Sequence, residues 1–85
     1  MKLVVVAVFD HAVKAYARPF MVRSQGEALR SFIDEVNRKA DDNALSRHPE
    51  DYELVDLARF DEESGEFTSD GVKTLIRGKD AVKAE

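Results

Sequence analysis

The chain has 85 residues, a net charge of −4 and no cysteine, which fits one small domain and excludes a disulfide framework or a thiolate metal site. Apolar residues make up 44% and charged residues 35%, a balance typical of folded proteins rather than disordered ones. Residues 1–49 carry eight basic and six acidic side chains, whereas residues 50–85 carry five and eleven. The acidic total disfavours a non-specific nucleic-acid coat but leaves room for a local basic face in the first half.

The first predicted element is a strand over residues 3–9 (LVVVAVF), which are β-branched and almost continuously apolar. Such a run indicates burial on both faces, as in a central strand or a strand at a subunit interface. It is too short to cross a membrane, and we expect no membrane partner. After a loop, a second strand is predicted over residues 18–23, where Pro19 favours a strand start or an edge position.

A helix is predicted next, because Ser24 and Glu27 stand at the spacing of a capping box. One apolar stripe with helical spacing consists of Leu29, Phe32, Ile33 and Val36. Arg30 falls off this stripe and should be exposed. The helix is expected to continue to about Lys39, which would place Arg38 in the last turn, at the negative end of the helix dipole.

The remaining elements are a polar connection, a third strand over residues 52–60, a turn closed by Gly65 and a short fourth strand over residues 66–69. The predicted fold class is therefore α+β, a small, mostly antiparallel sheet with one packed helix in the order β-β-α-β-β. We expect a single domain over residues 1–77 and a flexible C-terminal tail over residues 78–85. Because one helix covers only one face of a sheet, we also expect a homodimer.

Acidic and histidine side chains near Pro49 offer two interpretations. His48, Glu50 and Asp51 are residue types that bind metals or transfer protons, but a strand would send neighbouring side chains to opposite faces. We therefore favour the solvated entrance of a strand, with no metal and no cofactor. Asp10 and His11 have the composition of a general-base pair, yet no nucleophile signature accompanies them. We accordingly expect no catalytic residues and no enzyme.

Basic residues alternate with aromatic residues in the first half of the chain. Single-strand-binding proteins use this combination, because cations contact phosphates and ring faces stack on bases. The alternative is that the aromatic rings are buried and the arginines form an ordinary solvated surface. The candidate nucleic-acid-binding residues are Lys14, Tyr16, Arg18, Arg23, Arg30 and Arg38.

An ordered set of short motifs over residues 3–68 resembles one viral family. The motifs are Phe9-Asp10, an A-x-x-x-P-F element from Ala15 to Phe20, an A-x-R-x-F helix from Ala28 to Phe32, H-P-E-D-Y-x-L from His48 to Leu54, and F-D-x-x-S-G from Phe60 to Gly65. They resemble the small non-structural, DNA-binding protein of gokushovirus-type microviruses, the Chlamydia-phage open-reading-frame-five family. The chain departs from that pattern at Ala58, where the family often has glycine, and in its C-terminal tail.

The resemblance implies a non-enzymatic bacteriophage protein in the host bacterial cytoplasm. It implies binding to single-stranded DNA in the switch from viral DNA replication to genome packaging. A different interpretation is a protein–protein adaptor that contacts the replication initiator, the capsid or a host factor without touching DNA. The resemblance leaves virion association open.

Overall fold

A computed structural model describes residues 1–84. The fold is α+β, as predicted. Its elements in chain order are β1 (Lys2–Asp10), β2 (Ala15–Tyr16), β3 (Phe20–Val22), α1 (Gln25–Val36), α2 (Ala44–Arg47), a 3-10 helix (Pro49–Asp51), β4 (Tyr52–Asp61), β5 (Phe67–Thr68), β6 (Lys73–Arg77) and α3 (Gly78–Ala81).

The centre of the sheet is the antiparallel pair β1 and β4, which runs from Lys2 opposite Asp61 to Asp10 opposite Tyr52. The short strands β2 and β3 pair with the outer edge of β1, and β5 and β6 pair with the outer edge of β4. The prediction that the first apolar run is a central strand is confirmed. The order β-β-α-β-β is incomplete, because the strand β2 lies in the predicted loop and a further strand, β6, follows residue 70.

Helix α1 packs on one face of the sheet through the predicted stripe. The side chain of Phe32 is only 4% exposed and Val36 only 2%, and both join Val6 and Leu54 in the core. Burying a phenylalanine of this kind contributes roughly 1.5–3 kcal/mol by transfer from water. Arg30 is exposed, as expected. Leu45 of α2 and Ala81 of α3 complete the same core.

The start of α1 is as predicted, but its end is not. The hydroxyl of Ser24 accepts a hydrogen bond from the Glu27 backbone N–H at 3.2 Å, as in the first half of a capping box. The helix ends at Val36 rather than near Lys39. The Asn37 side-chain amide donates to the carbonyl oxygen of Ile33 at 2.7 Å, which satisfies a carbonyl group near the end of the helix.

The prediction of a flexible tail from residue 78 is wrong for Gly78–Ala81, which form α3. Ala81 is 4% exposed and belongs to the core, and Gly78 is buried too. A Cβ atom on Gly78 would lie 2.1 Å from the Pro49 carbonyl oxygen, so only glycine allows this close approach of two backbones. Too few apolar residues follow Ile76 for the sequence to show this packing. Glu85 lies outside the described residues.

Candidate nucleic-acid interface

The two faces of the sheet differ, because the helices lie on only one of them. Val4, Val6 and Leu54 join the core beneath α1, and strand alternation turns their neighbours to the other side. We call that other side the open face. In rows across the strands, it carries Leu3, Phe60 and Phe67, then Met21, Val5 and Ala58, then Ala7, Val55 and Thr74, and finally Tyr16, Phe9, Glu53 and Arg77.

Most of the open face is apolar. Val5, Ala7 and Val55 at its centre are already buried in a single copy. Towards its periphery, large apolar side chains remain in water, with Met21 45% exposed and Phe67 60% exposed. Met21 and Phe67 lie at opposite edges of the face, on β3 and β5, and large apolar side chains left in water on one face are candidates for an interaction site.

Three rings form an aromatic corner at one end of the open face: Phe9, His11 and Tyr16. The Phe9 and Tyr16 ring centroids are 4.7 Å apart with their planes at 62°, and the Phe9 and His11 centroids are 4.8 Å apart at 83°. Nε2 of His11 lies 3.5 Å from a carboxylate oxygen of Glu53. Tyr16 is 48% exposed. The corner therefore holds a half-exposed ring in an edge-to-face cluster, a geometry that leaves room for a planar group to stack.

Two of the predicted cations lie near this corner along the chain. Lys14 sits in the turn between β1 and β2, with a positive φ of 57°, and Arg18 lies between β2 and β3. Arg23 follows Val22, which pairs with Val4, so it lies towards the end of β1 that is opposite Phe9. All three side chains are exposed. Phe20, between Arg18 and Arg23, pairs with Val6 and therefore lies on the α1 side rather than on the open face.

The other two predicted cations lie with α1, among acidic side chains. Arg38 donates two hydrogen bonds to the carboxylate of Glu35, and this contact lowers the pKa of Glu35 below its usual value. Arg30 is exposed at a helix position three residues after Glu27 and four before Asp34, so both acids are its surface neighbours. The structure thus places Lys14, Tyr16 and Arg18 near the aromatic corner, Arg23 at the other end of β1, and the last pair on a mixed-charge helix surface.

The opposite end of the open face is acidic. The connection between β4 and β5, with the residues that border it, carries Asp61, Glu62, Glu63 and Glu66, beside the Phe60 and Phe67 rings, whose centroids are 4.8 Å apart. We call this connection the acidic turn. The backbone N–H groups of Glu63 and Ser64 donate to Asp61 and lower its pKa. Carboxylates also lie at the aromatic end, where Glu53 and Asp10 are, and Lys2 and the Met1 amino group lie at the acidic end, so both ends carry mixed charge.

A family model described as "Phage ORF5 protein" matches residues 3–82. The chain belongs to the phage ORF5 protein family. No curated protein and no solved structure matches it. The matched span of this phage ORF5 protein extends from β1 to the residue after α3, so it includes most of the region predicted as a tail. Within residues 1–84, no helix is long and apolar enough to cross a membrane.

The sequence did not identify one buried polar network in this phage ORF5 protein. Asp56 is 5% exposed, and its carboxylate accepts hydrogen bonds from Arg59 Nη1 and Gln25 Nε2, both at 2.7 Å. Burial alone would raise the pKa of Asp56, but these hydrogen bonds and the nearby Lys73 outweigh burial and lower it. The one signal in the sequence was an aspartate between apolar residues at the centre of the predicted third strand. Gln25 belongs to α1, whereas Asp56 and Arg59 belong to β4, so the network joins the helix to the strand.

The cluster near Pro49 also differs from expectation. Residues Pro49–Asp51 form a 3-10 helix rather than entering a strand directly, so the argument that His48, Glu50 and Asp51 point to opposite faces is wrong. One ligand atom from each of these three side chains lies within 4.8 Å of the others. His48 and Glu50 are exposed, with Nδ1 of His48 3.9 Å from the Glu50 carboxylate. A solvated group of this kind is common without a bound ion, and we assign no metal to it.

Proposed function

We propose that this phage ORF5 protein is a non-enzymatic protein that binds single-stranded DNA at the aromatic corner of its open face. The binding would serve the switch from duplex replication to genome packaging in the host bacterial cytoplasm. The observation that supports the proposal is Tyr16, a half-exposed ring packed against Phe9 between two stretches that carry Lys14 and Arg18. A base can stack on such a ring while the cations contact the flanking phosphates.

The non-enzymatic part of the proposal is supported by what Asp10 and His11 contact. Oδ1 of Asp10 accepts a hydrogen bond from the Ala12 backbone N–H at 2.9 Å and so shapes the turn. His11 packs edge-on against Phe9 and lies beside Glu53. Both candidate proton-transfer groups therefore have structural partners, and neither needs a substrate to explain its position.

The affinity should be modest and sensitive to salt. Two cations near the corner allow about two phosphate contacts, which for a single strand correspond to a slope of about −1.4 in log affinity against log salt. One stacked base adds roughly 1–3 kcal/mol. We therefore expect binding that is measurable at about 50 mM salt and greatly weakened at about 200 mM.

Fluorescence anisotropy with a labelled single-stranded oligonucleotide tests the proposal. Tyr16→Ala should reduce the affinity roughly fivefold to a hundredfold, the equivalent of one lost stacking contact. Tyr16→Phe retains the ring and should bind like the wild type. A duplex of the same sequence should bind more weakly, because its bases are not free to stack. If the wild-type protein does not bind single strands at about 50 mM salt, DNA binding is rejected.

A second candidate function is a protein–protein adaptor for the replication initiator, the capsid or a host factor, with no DNA contact. The observation that favours it is the acidic turn, which lies on the same sheet as the exposed rings and would repel a strand extended along the whole open face. An adaptor would leave single strands unbound at low salt and would retain a phage or host protein in pull-down experiments.

A further inference from the structure

A β-bulge in β4 brings two charged side chains to the α1 side of the sheet. The pairing of β1 with β4 shifts between Val5 and Val6, which makes Leu57 an extra residue in β4. In a regular strand, side chains three residues apart point to opposite faces. Across the bulge, however, Asp56 and Arg59 lie opposite β1 residues that are two positions apart, so both point to the same face. Bulges that redirect a side chain in this way occur often beside functional sites.

The outer edge of β4 is open at the same place. The strand β5 pairs with β4 at Arg59, and β6 pairs with it at Asp56, whereas the connection between β5 and β6 leaves the sheet. The Ser69 hydroxyl donates to the Leu57 carbonyl oxygen at 2.7 Å and fastens this connection to the bulge. The bulge and the open edge together leave a pocket of about 100 Å³. Four charged side chains line it: Asp56, Arg59, Asp70 and Lys73.

Arg59 is held in place by one half of its guanidinium group. Nη1 donates to the Asp56 carboxylate at 2.7 Å and to the Ala58 carbonyl oxygen at 3.1 Å. Within residues 1–84, Nε and Nη2 of Arg59 have no hydrogen-bond acceptor. These two nitrogens form one side of the planar group, and that side can donate to two oxygens of the same oxyanion. The side chain is 39% exposed, so a ligand can reach it.

We infer that this pocket binds a phosphate group, with the unused side of Arg59 as the bidentate contact. Lys73 and Thr68 also line the pocket and supply a second positive charge and a hydroxyl donor. Donors from three side chains match a phosphate, which has more oxygens to offer than a carboxylate. The inference goes beyond the proposed function and does not rest on it, because the aromatic corner lies on the open face and this pocket lies on the α1 side.

The two acids of the pocket differ in their effect on a phosphate. Both oxygens of Asp56 already accept hydrogen bonds, from Arg59 and Gln25, so this buried carboxylate positions the arginine. The pKa of Arg59 is raised chiefly by its hydrogen bond to Asp56 and, to a smaller extent, by the charge of Asp70. Asp70 therefore lies near Arg59 and opposes an incoming phosphate. Because Asp70 is exposed in a loop, its side chain can turn towards water when the ligand binds.

A titration with inorganic phosphate, followed by nitrogen–proton correlation NMR, tests the inference. The Nε–H signal of Arg59 and the backbone signals of the pocket should shift and saturate with a dissociation constant on the order of millimolar. The titration starts from about 20 mM salt, where screening is weak, and sodium chloride at equal ionic strength should leave these signals in place. Lys73→Gln should weaken the binding several-fold, whereas Lys79→Gln, an exposed position outside the pocket, should not. Signals that do not respond, or that respond equally to chloride, overturn the inference.

Asp70→Asn should change the affinity in the opposite direction. The substitution removes the opposing charge at an exposed position, so the fold is retained, and phosphate binding should tighten roughly threefold to tenfold. The control is Asp80→Asn, which removes the same charge outside the pocket and should have less effect. Arg59→Lys keeps the positive charge but loses the bidentate geometry, and it should weaken the binding about tenfold or more. Equal affinities of Asp70→Asn and Asp80→Asn would show that the phosphate does not enter this pocket.

Two further ligands identify the source of the phosphate. Thymidine monophosphate ends in a phosphate monoester, whereas a dinucleoside monophosphate contains a single backbone phosphodiester. Tighter binding of the monoester supports a site for free or terminal phosphate, and equal or tighter binding of the dinucleotide supports a site for the DNA backbone. Thymidine without phosphate should leave the pocket signals in place, and shifts as large as those from its monophosphate overturn the inference. Loss of DNA binding in Tyr16→Ala concerns the proposed function alone and leaves the phosphate titration unchanged.

Discussion

The side-chain amide of Asn37 donates a hydrogen bond to the carbonyl oxygen of Ala81 at 2.9 Å. The same amide group donates to Ile33, and its oxygen accepts from the Lys83 backbone N–H at 2.9 Å. One side chain therefore joins the end of α1 to α3 through both its donor and its acceptor. This connection holds the C-terminal segment against the core, together with the buried Ala81.

Replacing Asn37 with aspartate should destabilise the protein. Asp has the same shape, but it cannot donate to the two carbonyl oxygens and places a negative charge beside them. We expect a loss of about 1–3 kcal/mol in the free energy of unfolding, the cost of leaving partly buried acceptors unpaired, as measured by urea denaturation. Asn37→Ser, which keeps one donor, should lose less. Equal stabilities of Asn37→Asp and the wild type would show that α3 is not fastened in this way.

Gly78→Ala should destabilise the protein more than Gly26→Ala. The added methyl group at Gly78 would meet the Pro49 carbonyl oxygen at 2.1 Å, so backbone must shift, and we expect a cost of at least about 1–3 kcal/mol. At Gly26, within α1, the nearest atom is the Ser24 hydroxyl oxygen at 3.8 Å, so the methyl group fits. Alanine also favours the helix there by up to about 1 kcal/mol. Thermal melts of the two variants should therefore shift in opposite directions.

Asp56→Asn should lower the stability at neutral pH. The substitution removes the charge that holds Arg59 and Gln25 while keeping the volume of the side chain. We expect a loss of about 1–3 kcal/mol, below the cost of breaking a fully buried ion pair, because the Arg59 side chain is 39% exposed and can return to water. The check is the change in denaturation midpoint at pH 7. The control is Asp34→Asn, which removes the same unit of charge at an exposed helix position. If Asp56→Asn lowers the denaturation midpoint no more than Asp34→Asn does, the predicted role of the Asp56 network is wrong.

The effect of Asp56→Asn should also depend on pH. Burial raises the pKa of Asp56, but the hydrogen bonds from Arg59 and Gln25 outweigh it, so the folded-state pKa lies below the unfolded one. The charged group therefore contributes its full stability above the unfolded value of about 3.9 and loses it as the pH falls through the folded value. The difference between wild type and Asp56→Asn should be constant from about pH 5 to 7 and shrink below about pH 4. A difference that grows on acidification contradicts this assignment.

Local patterns in the sequence were enough to predict some of these features and not others. The Ser24 cap and the stripe through Phe32 and Val36 depend on residues close in sequence, and the structure confirms both. The packing of α3 depends on the contact of Gly78 with Pro49, which are far apart in sequence. The end of α1 was misplaced because Arg38 suits a last helical turn, whereas its side chain pairs with Glu35. Long-range contacts of small or polar side chains leave no periodic signal.

The candidate site also combines features that the sequence predicted with features that only the folded structure shows. The sequence placed Tyr16 among basic residues, but the pairing of Tyr16 with Phe9 across two strands is what presents its ring on the open face. Arg30 and Arg38 were grouped with it because both lie off the buried stripe of α1. The acids at Glu27, Asp34 and Glu35 share that exposed surface, and only the helical geometry shows how closely they accompany the two arginines.

The two groups of cations should differ in their effect on DNA binding. Charge reversal of Lys14 and Arg18, next to the aromatic corner, should abolish binding of single strands at about 50 mM salt, because it removes the phosphate contacts that supply the affinity. Charge reversal of Arg30 and Arg38 changes the net charge by the same amount, but these side chains lie among acids on α1. Binding should then fall several-fold at most. The Arg38–Glu35 pair lies in water and stabilises the fold little, so both double variants should fold. Equal loss of binding from both double variants would show that net charge, and not the corner, determines the affinity.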